Sequence, residues 1–139
     1  MHTVKTLYLK DLRTQATHVR SGKIILTDAP VDNHGKGEAF SPTDLLAASL
    51  GSCMLTLIGI AGKNHGFNID GTHVTILKIM AENPRRVSAI EVTLDFPDIK
   101  YSESHRRIIE HAALTCPVAL SLHPDINQKV IFNFPSLTD

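Results

Sequence analysis

The sequence predicts an α+β fold, and three observations support this prediction. One long apolar segment has the pattern of a helix, short strand-like runs lie on both sides of it, and turn signals separate those runs. The resulting order βββ-α-ββ-αα-β is neither the regular βα alternation of parallel α/β proteins nor an all-β order. The chain of 139 residues has the length of one domain, so we expect a single domain over residues 1–139.

Three short strands are predicted at the start of the chain, over Val4–Lys10, Arg13–Arg20 and Lys23–Asp28. Ser21-Gly22 is expected to form a tight turn between the last two strands. A polar loop follows from Asp28 to Ser41, and its length favours a functional role.

Ser41 and Pro42 predict the start of a long helix, because serine caps helices and proline favours their first turn. Gly66 predicts its end. About 24 residues at 1.5 Å each span about 36 Å, so this helix is expected to be the central element. Its uncharged stretch Leu45–Gly62 reaches the lower length limit for a membrane span. One face nevertheless carries small and polar residues, which favours a core helix and no membrane partner: Ser49, Ser52, Thr56, Gly59 and Lys63.

The second half of the chain completes the α+β order. The predicted elements are strands over His73–Met80 and Val87–Phe96 around a turn at Asn83-Pro84, a helix over Glu103–Thr115, a short helix from Pro117, and a strand over Lys129–Phe134.

Charge and composition narrow the classes of partner. The 14 Lys and Arg residues balance 14 Asp and Glu residues, so bulk charge provides no attraction to nucleic acid or to an anionic membrane. The first 13 residues lack the apolar segment of a signal peptide, which favours a cytoplasmic location.

With five Phe, two Tyr and no Trp the core is light. We therefore expect a second copy to bury part of the apolar surface, as in obligate homodimers.

Two cysteines are the strongest candidates for chemistry. In a reducing compartment, Cys53 and Cys116 are more readily explained as catalytic or inert thiols than as a structural disulfide. Cys116 precedes Pro117 at a predicted helix N-terminus, where free amides favour the thiolate, so we expect a lowered pKa for Cys116. Cys53 lies in the middle of the long helix, and a small buried hydrophobic role remains an open alternative for it.

A nucleophilic Cys53 requires a nearby cation, because a thiol of ordinary pKa, about 8.5, is only about 3% ionised at pH 7. Arginine is the suitable residue, since it stays charged and can donate two parallel hydrogen bonds. The candidates are Arg13, Arg20, Arg85, Arg86, Arg106 and Arg107. Elimination favours Arg20, at a strand end beside a glycine turn, although a solvated surface charge explains it equally well.

Other kinds of site have weak support. The eight histidines do not show the spacing of metal ligands, and neither a phosphate-binding loop nor a GxSxG nucleophile turn is present. We expect no metal and no cofactor.

The most specific signal is a pair of motifs that each contain one cysteine. They read Ser41-Pro-Thr-Asp-Leu-Leu-Ala-Ala-Ser-Leu-Gly-Ser-Cys53 and Cys116-Pro-Val-Ala-Leu-Ser-Leu-His-Pro. This pair resembles the cysteine motifs of the OsmC/Ohr superfamily, the osmotically inducible and organic hydroperoxide resistance proteins. The resemblance implies an OsmC-like fold, with antiparallel sheets around a long central helix, in an intertwined homodimer. It also implies that Cys53 is peroxidatic and Cys116 resolving, and Arg20-Ser-Gly-Lys resembles the setting of the family arginine.

One position departs from the hydroperoxide resistance branch. That branch carries a glutamate ten residues before the first cysteine, where this chain has Thr43. Glu38 in the preceding loop could substitute for it. The chain therefore resembles the OsmC-like branch more closely.

The predicted function is that of a thiol-dependent peroxidase acting on organic hydroperoxides. Cys53 would form a sulfenic acid, Cys116 would resolve it as a disulfide, and an external dithiol would reduce the disulfide. The alternative is a non-catalytic OsmC-like protein that binds a small apolar ligand, with the cysteines lining the cleft between subunits.

Overall fold

The element order of the protein is the predicted one. A computed structural model describes residues 1–137. Strands β1 to β3 are Val4–Lys10, Arg13–His18 and Ile24–Asp28; α1 is Pro42–His65; β4 and β5 are His73–Ala81 and Arg86–Asp95; α2 and α3 are Glu103–Leu114 and Pro117–Ser121; β6 is Asn127–Asn133. Two short 3₁₀ helices cover Val31–Asn33 and Pro135–Leu137. The α+β class is confirmed.

The chain divides into two compact units, Met1–Leu46 and Ala47–Asp139. Helix α1 begins in the first unit and continues into the second. The single domain expected over residues 1–139 stays a prediction.

The first unit contains an antiparallel sheet of order β1-β2-β3. In its register Leu7 lies beside Gln15, and Gln15 lies beside Leu26. Leu7 and Leu26 remain 60% and 40% exposed. This sheet therefore presents apolar side chains that the chain itself leaves uncovered.

Helix α1 begins and ends where local signals predict. The Asp44 amide donates to Ser41 Oγ at 3.0 Å, and the Ser41 amide donates to Asp44 Oδ2 at 3.0 Å, so the two residues cap the helix reciprocally. At the other end, Gly66 has a φ of 78° and its amide donates to the Gly62 carbonyl at 2.8 Å. This left-handed residue terminates the helix.

The second unit contains a mixed sheet of order β4-β5-β6. β4 and β5 are antiparallel, but β5 and β6 are parallel. The expectation of purely antiparallel sheets is therefore wrong for this pair. The chain leaves β5, passes through α2 and α3, and returns in the same direction, which is the connection that parallel strands require.

The core of the second unit lies between its sheet and its helices. Helix α1 contributes Leu50, Met54 and Ile58, all fully buried. By length and composition α1 could cross a membrane, but this buried face belongs to a packed core, as predicted. The other core residues come mainly from β5, α2 and α3 and include Ile90, Val92, Leu94, Phe96, Tyr101, Ile109, Ala113 and Cys116.

Candidate functional site

Cys53 and Cys116 contact each other in the second unit. Cys53 is half-buried on α1, whereas Cys116 is fully buried as the residue that caps α3. The Cys53 side chain is close enough to Cys116 to act on the pKa of its thiol. Both are free thiols. The fold thus places one accessible and one enclosed thiol side by side.

The chain positions Cys116 through a break between two helices. Helix α2 ends at Leu114, and Thr115 closes it with an amide hydrogen bond to the His111 carbonyl at 3.1 Å. Cys116 then has extended backbone angles, with φ −65° and ψ 151°, and Pro117 starts α3. Proline favours this extended conformation in the residue before it.

The pKa of Cys116 is raised, and the predicted lowering is wrong. Burial is the main cause, because the charged thiolate would lose its solvation. The backbone amides of Ala119 and Val118 act in the predicted direction and lower the pKa, although neither makes a full capping hydrogen bond. The neighbouring Cys53 side chain raises the pKa of Cys116 further. The thiolate form of Cys116 is therefore disfavoured relative to that of an ordinary exposed cysteine.

Arg20 lies outside the regular strands. It is exposed in the turn between β2 and β3, just beyond His18, where β2 ends. Its proposed partnership with Cys53 stays a prediction.

A different arginine is held firmly in the first unit. Arg13 Nε donates to Asp28 Oδ1 at 2.7 Å, and Arg13 Nη2 donates to Asp28 Oδ2 at 2.8 Å and to Glu38 Oε1 at 3.1 Å. The Asp28 side chain is only 1% exposed. The hydrogen bonds from Arg13 lower the pKa of Asp28, although burial opposes the shift. Glu38, the predicted substitute for the family glutamate, therefore pairs with Arg13.

Sequence reasoning missed the pairing of Arg13 with Asp28, although a signal for it exists. The two residues face each other in the β2–β3 hairpin, and every paired position is equally distant from the turn. These pairs are centred between Arg20 and Ser21, so a turn over residues 19–22 places Arg13 beside Asp28, whereas a turn centred on Ser21-Gly22 would shift the register by two residues. Arg20 is favoured only by its neighbours in the sequence, whereas Arg13 gains its partner across the hairpin.

Thr43 occupies the first turn of α1. Its hydroxyl lies 3.3 Å from Ser41 Oγ, beside the helix cap. The side chain that replaces the family glutamate is thus part of a hydroxyl pair at the helix start.

Two further features concern ligands. Within residues 1–137, no group of three or more His, Cys, Asp or Glu side chains could hold a metal ion.

A groove of about 490 Å³ lies between α1 and α2 in the second unit. Apolar residues form most of its walls, and its lining includes Leu57, Ile60, Ala61, Ile108 and Ala112, with His65, Arg107 and His111 as its basic members.

Comparison with known proteins agrees with this architecture. A family model described as OsmC-like protein matches residues 35–130. A search of curated proteins returned no significant match. Among solved structures, a protein from Psychrobacter arcticus 273-4 shares 53% sequence identity, covers 96% of each chain and has a TM-score of 0.92. Its own assignment to osmotic stress induction and a detoxification response is only proposed.

Two more distant structures share the fold. The organic hydroperoxide resistance protein OsmC of Legionella pneumophila has 13% identity and a TM-score of 0.74, covering 96% of this chain and 98% of its own. The organic hydroperoxide resistance protein of Elizabethkingia anophelis has 16% identity and a TM-score of 0.74, covering 96% and 97%. The matched family model spans more than half of the chain, and a relative is more than half identical over nearly its full length, so the chain belongs to the OsmC-like family of the OsmC/Ohr superfamily.

Proposed function

We propose that this protein is a thiol-dependent peroxidase that reduces organic hydroperoxides. The observation that carries the proposal is the contact between the half-buried Cys53 and the buried Cys116, both as free thiols. The distant structures named as organic hydroperoxide resistance proteins support a redox role in stress.

The chemistry requires two steps at these sulfurs. The Cys53 thiolate attacks the distal oxygen of ROOH, the O–O bond breaks, and the alkoxide leaves as ROH after taking up a proton, so that Cys53 becomes a sulfenic acid. The Cys116 sulfur then attacks the Cys53 sulfur, the proton of Cys116 leaves with the hydroxyl as water, and a disulfide forms. An external dithiol reduces this disulfide and is itself oxidised.

The accessibility of the two thiols suits this order of events. Cys53 is partly exposed and can meet a substrate, whereas Cys116 is enclosed and reaches only its neighbour. Burial and a raised pKa both reduce the thiolate fraction of Cys116, so it competes little for the hydroperoxide, since the thiolate is the reactive form.

Arg20 remains the proposed cation for the Cys53 thiolate, and Thr43 is the position expected to limit the activity. Glu38 pairs with Arg13, so supporting Arg20 would require a different arrangement of the Glu38 side chain. If Arg20 has this role, Arg20→Gln slows the oxidation of Cys53 at least about tenfold, because losing a nearby opposite charge shifts a pKa by about one unit or more and lowers the thiolate fraction. A rate within twofold of wild type would exclude Arg20.

We also propose a homodimer in the cytoplasm. Exposed apolar side chains of the first sheet support the dimer, among them Leu7, Leu9, Ile24 and Leu26. Scattered apolar exposure is ordinary, but Leu7, Ile24 and Leu26 are exposed on the same face of one sheet, which favours an interface.

A stopped-flow experiment tests the proposed activity. One equivalent of cumene hydroperoxide is mixed with the reduced protein, and free thiols are counted before and after. We expect wild type to consume the peroxide and to lose both thiols, whereas Cys53→Ser consumes none. Cys116→Ser should complete one turnover and end as a sulfenic acid. Equal consumption by Cys53→Ser and wild type would refute the proposal.

A second candidate function is the binding of a small apolar ligand without chemistry. The groove between α1 and α2 favours it, because about 490 Å³ with mainly apolar walls is within the range of small-molecule sites. Neither cysteine lines this groove. Binding of a fluorescent apolar probe that survives in the Cys53→Ser, Cys116→Ser double variant, together with no peroxide consumption by wild type, would favour this function.

A further inference from the structure

The segment between β3 and α1, residues 29–40, is attached at two buried ends but has no buried residue of its own. Asp28 and Ser41 on either side are each only 1% exposed. A segment with little buried apolar surface gains little stability from packing. Its position must therefore depend on polar contacts.

The segment is folded tightly upon itself. The Gly35 amide donates to the Pro30 carbonyl at 2.9 Å, and the Gly37 amide donates to the Ala29 carbonyl at 3.2 Å. A Cβ atom at Gly35 would lie 1.7 Å from the Ala29 carbonyl oxygen, so only glycine fits there. These internal contacts favour movement of the segment as one body.

Charged groups hold this body to the sheet. Arg13 of β2 bridges Asp28, the residue before the segment, and Glu38, near the end of the segment. Asp28 Oδ2 also accepts a hydrogen bond from the Glu38 amide at 3.1 Å. Lys36 Nζ lies 3.9 Å from Asp11 Oδ2, a longer and more exposed pair. Backbone hydrogen bonds at the edge complete the attachment, from Ala29 to Leu12 at 3.1 Å and from Asp28 to Phe40 at 3.0 Å.

We propose that residues 29–40 form a strap that opens as one unit, and that Arg13, held between Asp28 and Glu38, is the latch that keeps it closed. Arg13 is a positioning residue in this role. The two halves of the latch differ in strength. The buried Asp28 makes a bidentate pair, whereas the Glu38 side chain is 65% exposed and makes one bond. Exposed pairs contribute little and are screened by salt, so Asp28 should dominate.

Hydrogen exchange of backbone amides tests the strap. The reporting amides are Asp28, Ala29 and Glu38, since each takes part in a hydrogen bond between the segment and the sheet, which opening of the strap would break. In Asp28→Asn we expect all three to exchange at least about 10-fold faster, by a similar factor, and in Glu38→Gln about 2- to 5-fold faster. The matched control is Arg20→Gln, which changes an exposed charge of the same unit and should leave the three rates unchanged.

A salt titration keeps the test decisive if Asp28→Asn fails to fold. Raising the salt concentration from about 0.05 M to about 0.5 M should speed exchange of the three amides in wild type, because the exposed Glu38 half of the latch is screened. The same change should have a smaller effect in Glu38→Gln. Amides of α2 should not respond in any of these proteins.

Three results would overturn the inference. They are unchanged rates of the three amides in a folded Asp28→Asn protein, equal acceleration by Arg20→Gln, or an equal salt response in wild type and Glu38→Gln.

Discussion

The buried thiol of Cys116 lies beside Cys53, which is half-buried on α1 and raises the pKa of Cys116. One residue comes from the middle of a long helix and the other from the break between two later helices. The contact pairs an enclosed thiol of raised pKa with a more accessible one. This asymmetry gives the two cysteines different expected reactivities.

The first prediction concerns alkylation. In the folded protein, iodoacetamide should modify Cys53 at least about 10-fold faster than Cys116, because Cys116 is fully buried and its pKa is raised. The rates are measured separately in Cys116→Ser and in Cys53→Ser, each of which keeps one thiol. In urea the two rates should converge, and similar rates in the folded variants would contradict the assignment.

The second prediction concerns stability at alkaline pH. The folded pKa of Cys116 lies above its unfolded value, so above about pH 8.5 the unfolded chain releases a proton that the folded protein keeps. Ionisation of Cys116 therefore lowers the free energy of unfolding as the pH rises through this range.

Urea unfolding at pH 7 and pH 10 measures this effect. Wild type should lose more stability between the two pH values than Cys116→Ser, because serine does not ionise there. A parallel loss in both proteins would show that Cys116 does not cause it.

The third prediction concerns Gly62 on α1. Helix propensity alone predicts that Gly62→Ala stabilises the protein by about 1 kcal/mol. A Cβ atom there would, however, lie 2.5 Å from the Phe67 carbonyl oxygen, which is backbone and cannot turn aside. We expect Gly62→Ala to destabilise the fold by about 1–3 kcal/mol in urea unfolding. Stabilisation would contradict the close packing of Phe67 on α1.

The fourth prediction concerns the proposed homodimer. Sedimentation of wild type at micromolar concentration should give a dimer. Leu7→Glu should raise the dimer dissociation constant at least about tenfold, since it would place a charge in an apolar interface. Ser104→Glu, at an exposed position on α2, serves as the control. A monomeric wild type would refute the dimer, and equal effects of both substitutions would refute the assigned patch.

Local signals predicted the element order well. Helix α1 begins at the Ser41–Asp44 cap and ends before Gly66, and both signals depend on only a few neighbouring residues. The direction of β6 was not predictable in the same way. Its parallel pairing with β5 depends on the path of the chain through α2 and α3.

The candidate site was predictable only in part. The paired motifs identified Cys53 and Cys116, but the pKa of Cys116 depends on burial by residues distant in the sequence. The amides predicted to lower it are present, and burial outweighs them. Arg13 was missed for a related reason, because its partners lie across a hairpin and at the end of a loop.

The most direct measurement of the central claim is mass spectrometry of the reduced protein after one equivalent of cumene hydroperoxide. The proposed mechanism predicts that the protein loses two hydrogens and that peptide mapping finds a disulfide between Cys53 and Cys116. An unchanged mass with the hydroperoxide unconsumed, or oxidation that leaves Cys53 as a free thiol, would contradict it.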